Sequence, residues 1–536
     1  MEQVTGLQIG TPQTDVIAGE IDREVEIPTT ESGILNATIS SLSGSDSISG
    51  MARIRAVVPG AAIEANGIAQ SNIDSGLGSD IISGEGRGIG INTGSESVDS
   101  ENTVVGRGLF RSSVSGGNGG GTMSFRGSAS NGSTSTAFGI ESSSIDGGGG
   151  SQIIGASATA SNNDDSGTDI VRATASENGI IRAGGQDDRI QMNATAVASY
   201  PTTQSTLGNT VAFATAANNS LVSGDGGNDI INIRAGAGGS AQQAGSTTVN
   251  AKILAVSASE IRGGSGDDAL SVNTVGLQST SFDQRTAIAS NVGVGENSTF
   301  SGDGGNDSIS INVVSETETS NNFGVRQAKV EGGDGVDAIA ISARADSFTG
   351  TVYGVQDTEV DGGNDDDTIT ITADWNGAVF VNGASADRST VRGGAGNDTL
   401  LFELSAATGN KDRTLATLRD SEVYGNSGDD IITVRTEGVV DYDLIDAQLF
   451  GGAGNDLFNV GIGTGTISGG AGADVANLDY LDTQPATVET ITNGVRVSGT
   501  QTRLGAEGTW TQDILGVESY TVNGVVYDSA SLAEAF

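Results

Sequence analysis

The sequence predicts an all-β chain: a right-handed parallel β-helix or β-roll solenoid of about 14 coils, most of 30–41 residues. Three observations predict it. A glycine-rich phrase ending in aspartate recurs along almost the whole chain. A short stretch of period-two alternation follows each copy. The composition has 83 Gly and only 4% aromatic residues, which suits many thin stacked layers better than one thick core.

The phrase is clearest at Gly393-Gly394-Ala395-Gly396-Asn397-Asp398, followed by Thr399-Leu400-Leu401-Phe402. Unbroken Gly-Gly-x-Gly-x-Asp copies end at Asp268, Asp337, Asp398, Asp456 and Asp474, and near copies end at Asp80, Asp188, Asp229, Asp307, Asp367 and Asp430. A shortened copy ends at Asp46, and Asp15 is a further, eroded candidate. Two positions in step carry no acid, Gly121 and Gln152. An aliphatic residue precedes each turn, the column running Leu42, Ile73, Val114, Ile145, Ile181, Val222, Ile261, Phe300, Val330, Val360, Val391, Val423, Leu449 and Ile467. Alternation after the aspartate, as in Ser308-Ile309-Ser310-Ile311, marks a strand. A weaker third strand lies between, as at Val352-Tyr353-Gly354-Val355. The Ser-, Thr- and Asn-rich spacers read as surface loops.

In chain order, residues 1–40 read as an N-terminal coil or assembly segment, 41–474 as the solenoid, and 475–536 as a C-terminal β cap. Leu478-Asp479-Tyr480-Leu481 still alternates, and Asn523-Gly524 signals a hairpin turn. The last residues form a weakly helical tail. One repeat cannot bury its own apolar face, whereas stacked repeats can, and this favours a solenoid over a β-sandwich or a disordered acidic chain.

The chain has 67 acidic and 25 basic residues, a net charge of −42. That excludes nucleic acid as a natural partner and points to divalent cations. There is no Cys and no His, so thiolate and imidazole metal sites, and triads that need His, are absent. No run of 18 apolar residues exists, so no membrane insertion is expected. Met1-Glu2-Gln3-Val4 has no secretory signal pattern.

Glycines let turn carbonyls converge, and Ca²⁺ takes six to eight such oxygens together with carboxylates. Asn at the fifth position, as in Asn228, Asn306, Asn397 and Asn455, suits left-handed backbone. The phrase resembles the nonapeptide of RTX (repeats-in-toxin) calcium-binding proteins, and Gly451-Gly452-Ala453-Gly454-Asn455-Asp456-Leu457-Phe458-Asn459 fits it throughout. The resemblance implies several Ca²⁺ ions held between stacked turns along one edge. Carried over residue by residue, it assigns metal roles to Asp80, Asp188, Asp229, Asp268, Asp307, Asp337, Asp367, Asp398, Asp430, Asp456 and Asp474, with little or no calcium at Gly121 and Gln152. It also implies export by type I secretion, hence a secreted, cell-surface protein that folds where calcium is abundant. The chain departs from the family in its wide coils.

No enzyme is expected, and no catalytic residues are assigned. Arg53/Arg55 and Lys411/Asp412/Arg413 read as solvated loop charges, although a calcium-dependent polysaccharide lyase or epimerase is conceivable. One Thr-x-Thr run, Thr368–Thr372, is too little for an ice-binding face. The expected function is structural: a calcium-stabilised protein, similar in general build to RTX-type bacterial surface-layer and oscillin-like proteins, that self-assembles into a filament, sheath or S-layer. The alternative is a monomeric adhesin or biofilm-matrix protein. Expected partners are copies of itself and a cell-surface polysaccharide.

Overall fold

The structure, a computed structural model, describes residues 3–57, 61–90, 103–162, 170–200, 209–241, 248–277, 288–315, 319–346, 349–376, 379–406, 415–438, 441–482, 486–503 and 506–536. It contains two compact units: Met1–Ser298 with Val314–Ser320, and Thr299–Val313 with Asn321–Phe536. Each is a stack of parallel β coils, so the chain is an all-β parallel β-helix as its repeats predict.

In the first unit the strand following the turn repeats once per coil. Val16–Val25, Ser47–Ala56, Ile81–Ile89, Gly121–Ser130, Gln152–Asn162, Arg189–Tyr200, Ile230–Ala241 and Ala269–Leu277 pair successively in parallel, residue on equivalent residue. The second unit repeats the arrangement from Ala338–Ala345 through Thr368–Trp375, Thr399–Ala406, Ile431–Gly438, Leu457–Val460 and Val475–Asn477 to Ser519–Val522. Alternation sets the inward face. Two residues after each turn position, Ile48, Ile82, Met123, Ile154, Ile190, Ile231 and Leu270 stack buried in one unit, and Ile339, Ile369, Leu400, Ile432 and Phe458 in the other. A one-residue slip would expose such a column, so register is strongly held.

The aliphatic column before the turn is buried from Ile73 to Ile467, with one correction. Leu42 is exposed, and Ile39 pairs with Ile73 instead. The copy ending at Asp46 is therefore of full length, with Ser41 and Leu42 where later copies carry Gly. The third strand is also longer than its residues suggest, running over Thr134–Glu141 and Thr349–Gln356, and much of the spacer sequence is strand rather than loop. The expected N-terminal segment contributes Val4–Ile9 and Val16–Val25, which pair with the following coil.

Near the C-terminus, Leu478 and Leu481 are both buried at the ends of a 3₁₀ turn, Asp479–Asp482, so their spacing is three rather than the two of a strand. Ala486–Ile491, Gly494–Arg503 and Ala506–Leu515 then pair antiparallel. Ala506–Leu515 also joins Gly463–Ala471 in parallel, which extends the stack by a coil. Asn523-Gly524 turns a hairpin with φ of 48° and 76°. Helix Ser529–Ala535, started by a capping box at Asp528, buries Leu532.

Candidate metal centre

The phrase's aspartates form a buried row in each unit. In the first, the amides of Asp15, Asp46, Asp188 and Asp229 donate to Oδ1 of Asp46, Asp80, Asp229 and Asp268, at 2.6–2.8 Å. In the second, Asp307, Asp337, Asp367, Asp398, Asp430 and Asp456 donate in the same sense to Asp337, Asp367, Asp398, Asp430, Asp456 and Asp474, at 2.7–2.9 Å. One oxygen of each carboxylate thus ties its coil to the one before.

The other oxygen has no such role. Oδ2 of Asp46, Asp80, Asp188, Asp229, Asp337, Asp367, Asp398, Asp430, Asp456 and Asp474 is buried without a hydrogen-bond partner. An unpaired acceptor on a buried carboxylate costs several times a neutral one. Burial accordingly pushes the carboxyls of Asp188, Asp337, Asp367 and Asp430 up to about 7, and those of Asp229 and Asp398 to about 6. The amide bond opposes this shift, and neighbouring acids reinforce it: Asp187 and Asp225 for Asp229, Asp307 for Asp337.

The glycines need no metal to explain them. A Cβ on Gly362 would lie 2.5 Å from Asp367 Oδ2 and 2.3 Å from the Gly393 carbonyl oxygen. The first glycine therefore makes room for its own aspartate and for the next coil. The second and fourth positions take positive φ, 122° at Gly394 and 144° at Gly396. Asp225, Asp303 and Asn426 fill the second position in that conformation, and Gln186 and Asp365 the fourth. The fifth position does not use it. Instead the side chains of Asn228, Asn397 and Asn455 accept the amides of Asp267, Asp429 and Ala473 on the following coil.

At the acid-free positions a different chemistry fills the space. Gln152 Nε2 donates to the Gly119 carbonyl at 2.7 Å, reaching back across the coil where Gly121 has no side chain. A donor therefore enters where aspartate would place only acceptors. Asp46 and Asp15 belong to the row although the sequence did not claim them. Glu518, also unclaimed, ends the second row by accepting the Asp474 amide at 2.8 Å.

A second ladder marks another corner. Amides of Ala37, Ser71, Ser112, Gly179, Ser220 and Ser259 donate to Oγ of Ser71, Ser112, Ser143, Ser220, Ser259 and Ser298, and those of Thr358 and Ser389 to Ser389 and Ser421. These hydroxyls also donate to a carbonyl just upstream, two residues back for Ser71 to Ala69 and Ser389 to Asp387 and three for Ser298 to Gly295. Each ladder hydroxyl is thus satisfied by protein alone, unlike the carboxylates. The signal was a Ser or Thr two residues before the aliphatic column, hidden in a Ser-rich chain.

Among the described residues no three acidic side chains converge on one point. A cation here would take single carboxylates and complete its shell with turn carbonyls and water, a donor set suited to Ca²⁺. Arg53 and Arg55 lie on a strand, not a loop, and face Asp22 and Glu24 of the previous coil. Lys411, Asp412 and Arg413 lie outside the described residues. No protein-family model matches the chain, and no curated protein is similar to it.

Proposed function

We propose that this is a calcium-stabilised, secreted structural protein that assembles with copies of itself into a surface filament, sheath or layer. The observation that carries the calcium reading is the row of buried carboxylate oxygens that no hydrogen-bond donor reaches. Hard dications satisfy such a row while leaving it charged. Asp80, Asp188, Asp229, Asp268, Asp307, Asp337, Asp367, Asp398, Asp430, Asp456 and Asp474 would hold them, with glycine carbonyls of the turns. The resemblance to RTX repeats supports the same assignment and the extracellular location, where free calcium is plentiful.

Assembly is supported by Val4–Ile9 and Val16–Val25, which pair on one side among the described residues and expose Leu7, Ile9 and Val16 to 67%, 67% and 75%. Unpaired strand edges template association. Removing calcium with EGTA should lower the melting temperature and weaken the far-UV β signal, both restored by added Ca²⁺; no change would refute the calcium role. Electron microscopy in millimolar Ca²⁺ should show polymers. Isolated particles alone would refute assembly and favour the adhesin.

A further inference from the structure

A shallow groove of about 670 Å³ crosses successive coils of the first unit at the serine corner. Its rim is one structural position repeated: Asn36, Gln70, Arg111, Ser142 and Asn178, each in left-handed backbone with φ between 48° and 51°. Asn72 lies beside them. All are exposed. The side chains of Asn36, Gln70, Asn72 and Ser142 make no hydrogen bond to the described residues. Arg111 has no ion pair among them and only lies over the Phe110 ring, 4.8 Å from its centre. The serines beneath are engaged in the ladder, so the rim alone is available.

The lining contains no carboxylate, in a chain with 67 acidic residues. The same position in the second unit reads Gln327, Asp357, Arg388, Asp420 and Asp446, three of the five acidic, and Arg388 is paired with Asp357 and Asp387. The first unit therefore offers free amides, a hydroxyl and one unpaired guanidinium, repeated at the ~4.8 Å spacing of stacked strands. Amides and hydroxyls both donate and accept, as the hydroxyls of a sugar do. A guanidinium adds bidentate capture of a carboxylate. One cation is too few for a nucleic acid.

We propose that this groove binds an extended polysaccharide lying across the coils, with a uronate carboxylate seated on Arg111. The site is separate from the calcium row and does not rest on it.

The test is binding of a hexameric oligogalacturonate and of maltohexaose to the full chain at fixed Ca²⁺, by isothermal titration calorimetry. Oligogalacturonate should bind more tightly than maltohexaose. Arg111→Gln should weaken it roughly tenfold or more, the loss expected for one charge-assisted hydrogen bond, and abolish the preference. Gln70 already occupies the equivalent position at φ 51°, so this variant is compatible with the backbone. Gln70→Ala with Asn72→Ala should weaken both sugars, and Ala258 shows that alanine is accommodated at this position with φ 46°. Arg172→Ala, outside the groove, should change neither. Unaltered circular dichroism establishes that each variant is folded. No binding of either sugar, or binding indifferent to both groove variants, overturns the site. Equal binding of the two sugars, lost only in the amide variant, overturns the carboxylate contact at Arg111.

Discussion

At the scale of single residues, the distinction that matters lies between the two oxygens of one carboxylate. Oδ1 of Asp367 accepts the Asp337 amide, and Oδ2 is buried without a partner. Asp367→Asn keeps the first interaction and replaces the second oxygen by a donor; Gln152 likewise brings a donor, through Nε2. The expected outcome changes sign with calcium. In EGTA at pH 8 the variant melts higher than the parent; in millimolar Ca²⁺ it melts lower, by about 1–3 kcal/mol of lost stabilisation. The same shift in both buffers would mean the row is only a backbone tie. Asp443 gives a separate pH signature. It is 6% exposed, accepts the Gly461 amide, and is pushed by burial up to about 6 from an ordinary value of 3.8. Its folded value exceeds its unfolded one, so the folded state holds the extra proton between these values. Stability is favoured at the acid end of that window and lost as pH rises through about 6. Asp443→Asn should flatten that part of the decline in thermal melts from pH 4 to 7, relative to the parent.

At the scale of elements, two kinds of corner hold the coils. Ser389→Ala would strand the buried Thr358 amide and cost about 1–3 kcal/mol, equally with and without calcium. Gly393→Ala would put a methyl 2.3 Å from Asp398 Oδ2 and should destabilise by about 1–3 kcal/mol or more, also without calcium. Both are read from melting curves, and calcium dependence of the Ser389→Ala loss would count against a self-contained hydroxyl ladder. The aspartate row was legible because its glycines mark the register at every turn. Asp46 was misread because Ser41 and Leu42 replace those glycines, leaving spacing alone to place it. Glu518 was invisible because its coil is closed by an antiparallel insertion. The serine ladder was missed because serine is common in this chain and only the structure shows which serines face across coils. Leu478 and Leu481 looked like strand alternation because four residues cannot separate a period of two from one of three.

At the scale of the molecule, the two units differ in how continuously acid lines their turns. From Asp307 to Asp474 every turn of the second unit carries its aspartate, whereas the first has Gly121 and Gln152 in place of two. Limited proteolysis during graded EGTA titration should therefore cut first within Thr299–Phe536, while the coils around Gly121 and Gln152 persist; simultaneous loss would remove this distinction. The net charge of −42 announced a cation partner, but not that part of that charge is sealed inside the coils. The two buried ladders also share a polarity. In both, the side-chain acceptor belongs to the later coil and the amide to the earlier one. Each coil is thus left with open amides until its successor arrives, and Glu518 closes that sequence in the second unit. A chain shortened after any coil would end on a hungry surface, so growth of the stack behaves as a one-way zipper whose last tooth differs from all the others. Glu518→Ala, which leaves the Asp474 amide open, should fray the final coils first, seen as faster amide hydrogen exchange there than in the rest of the unit.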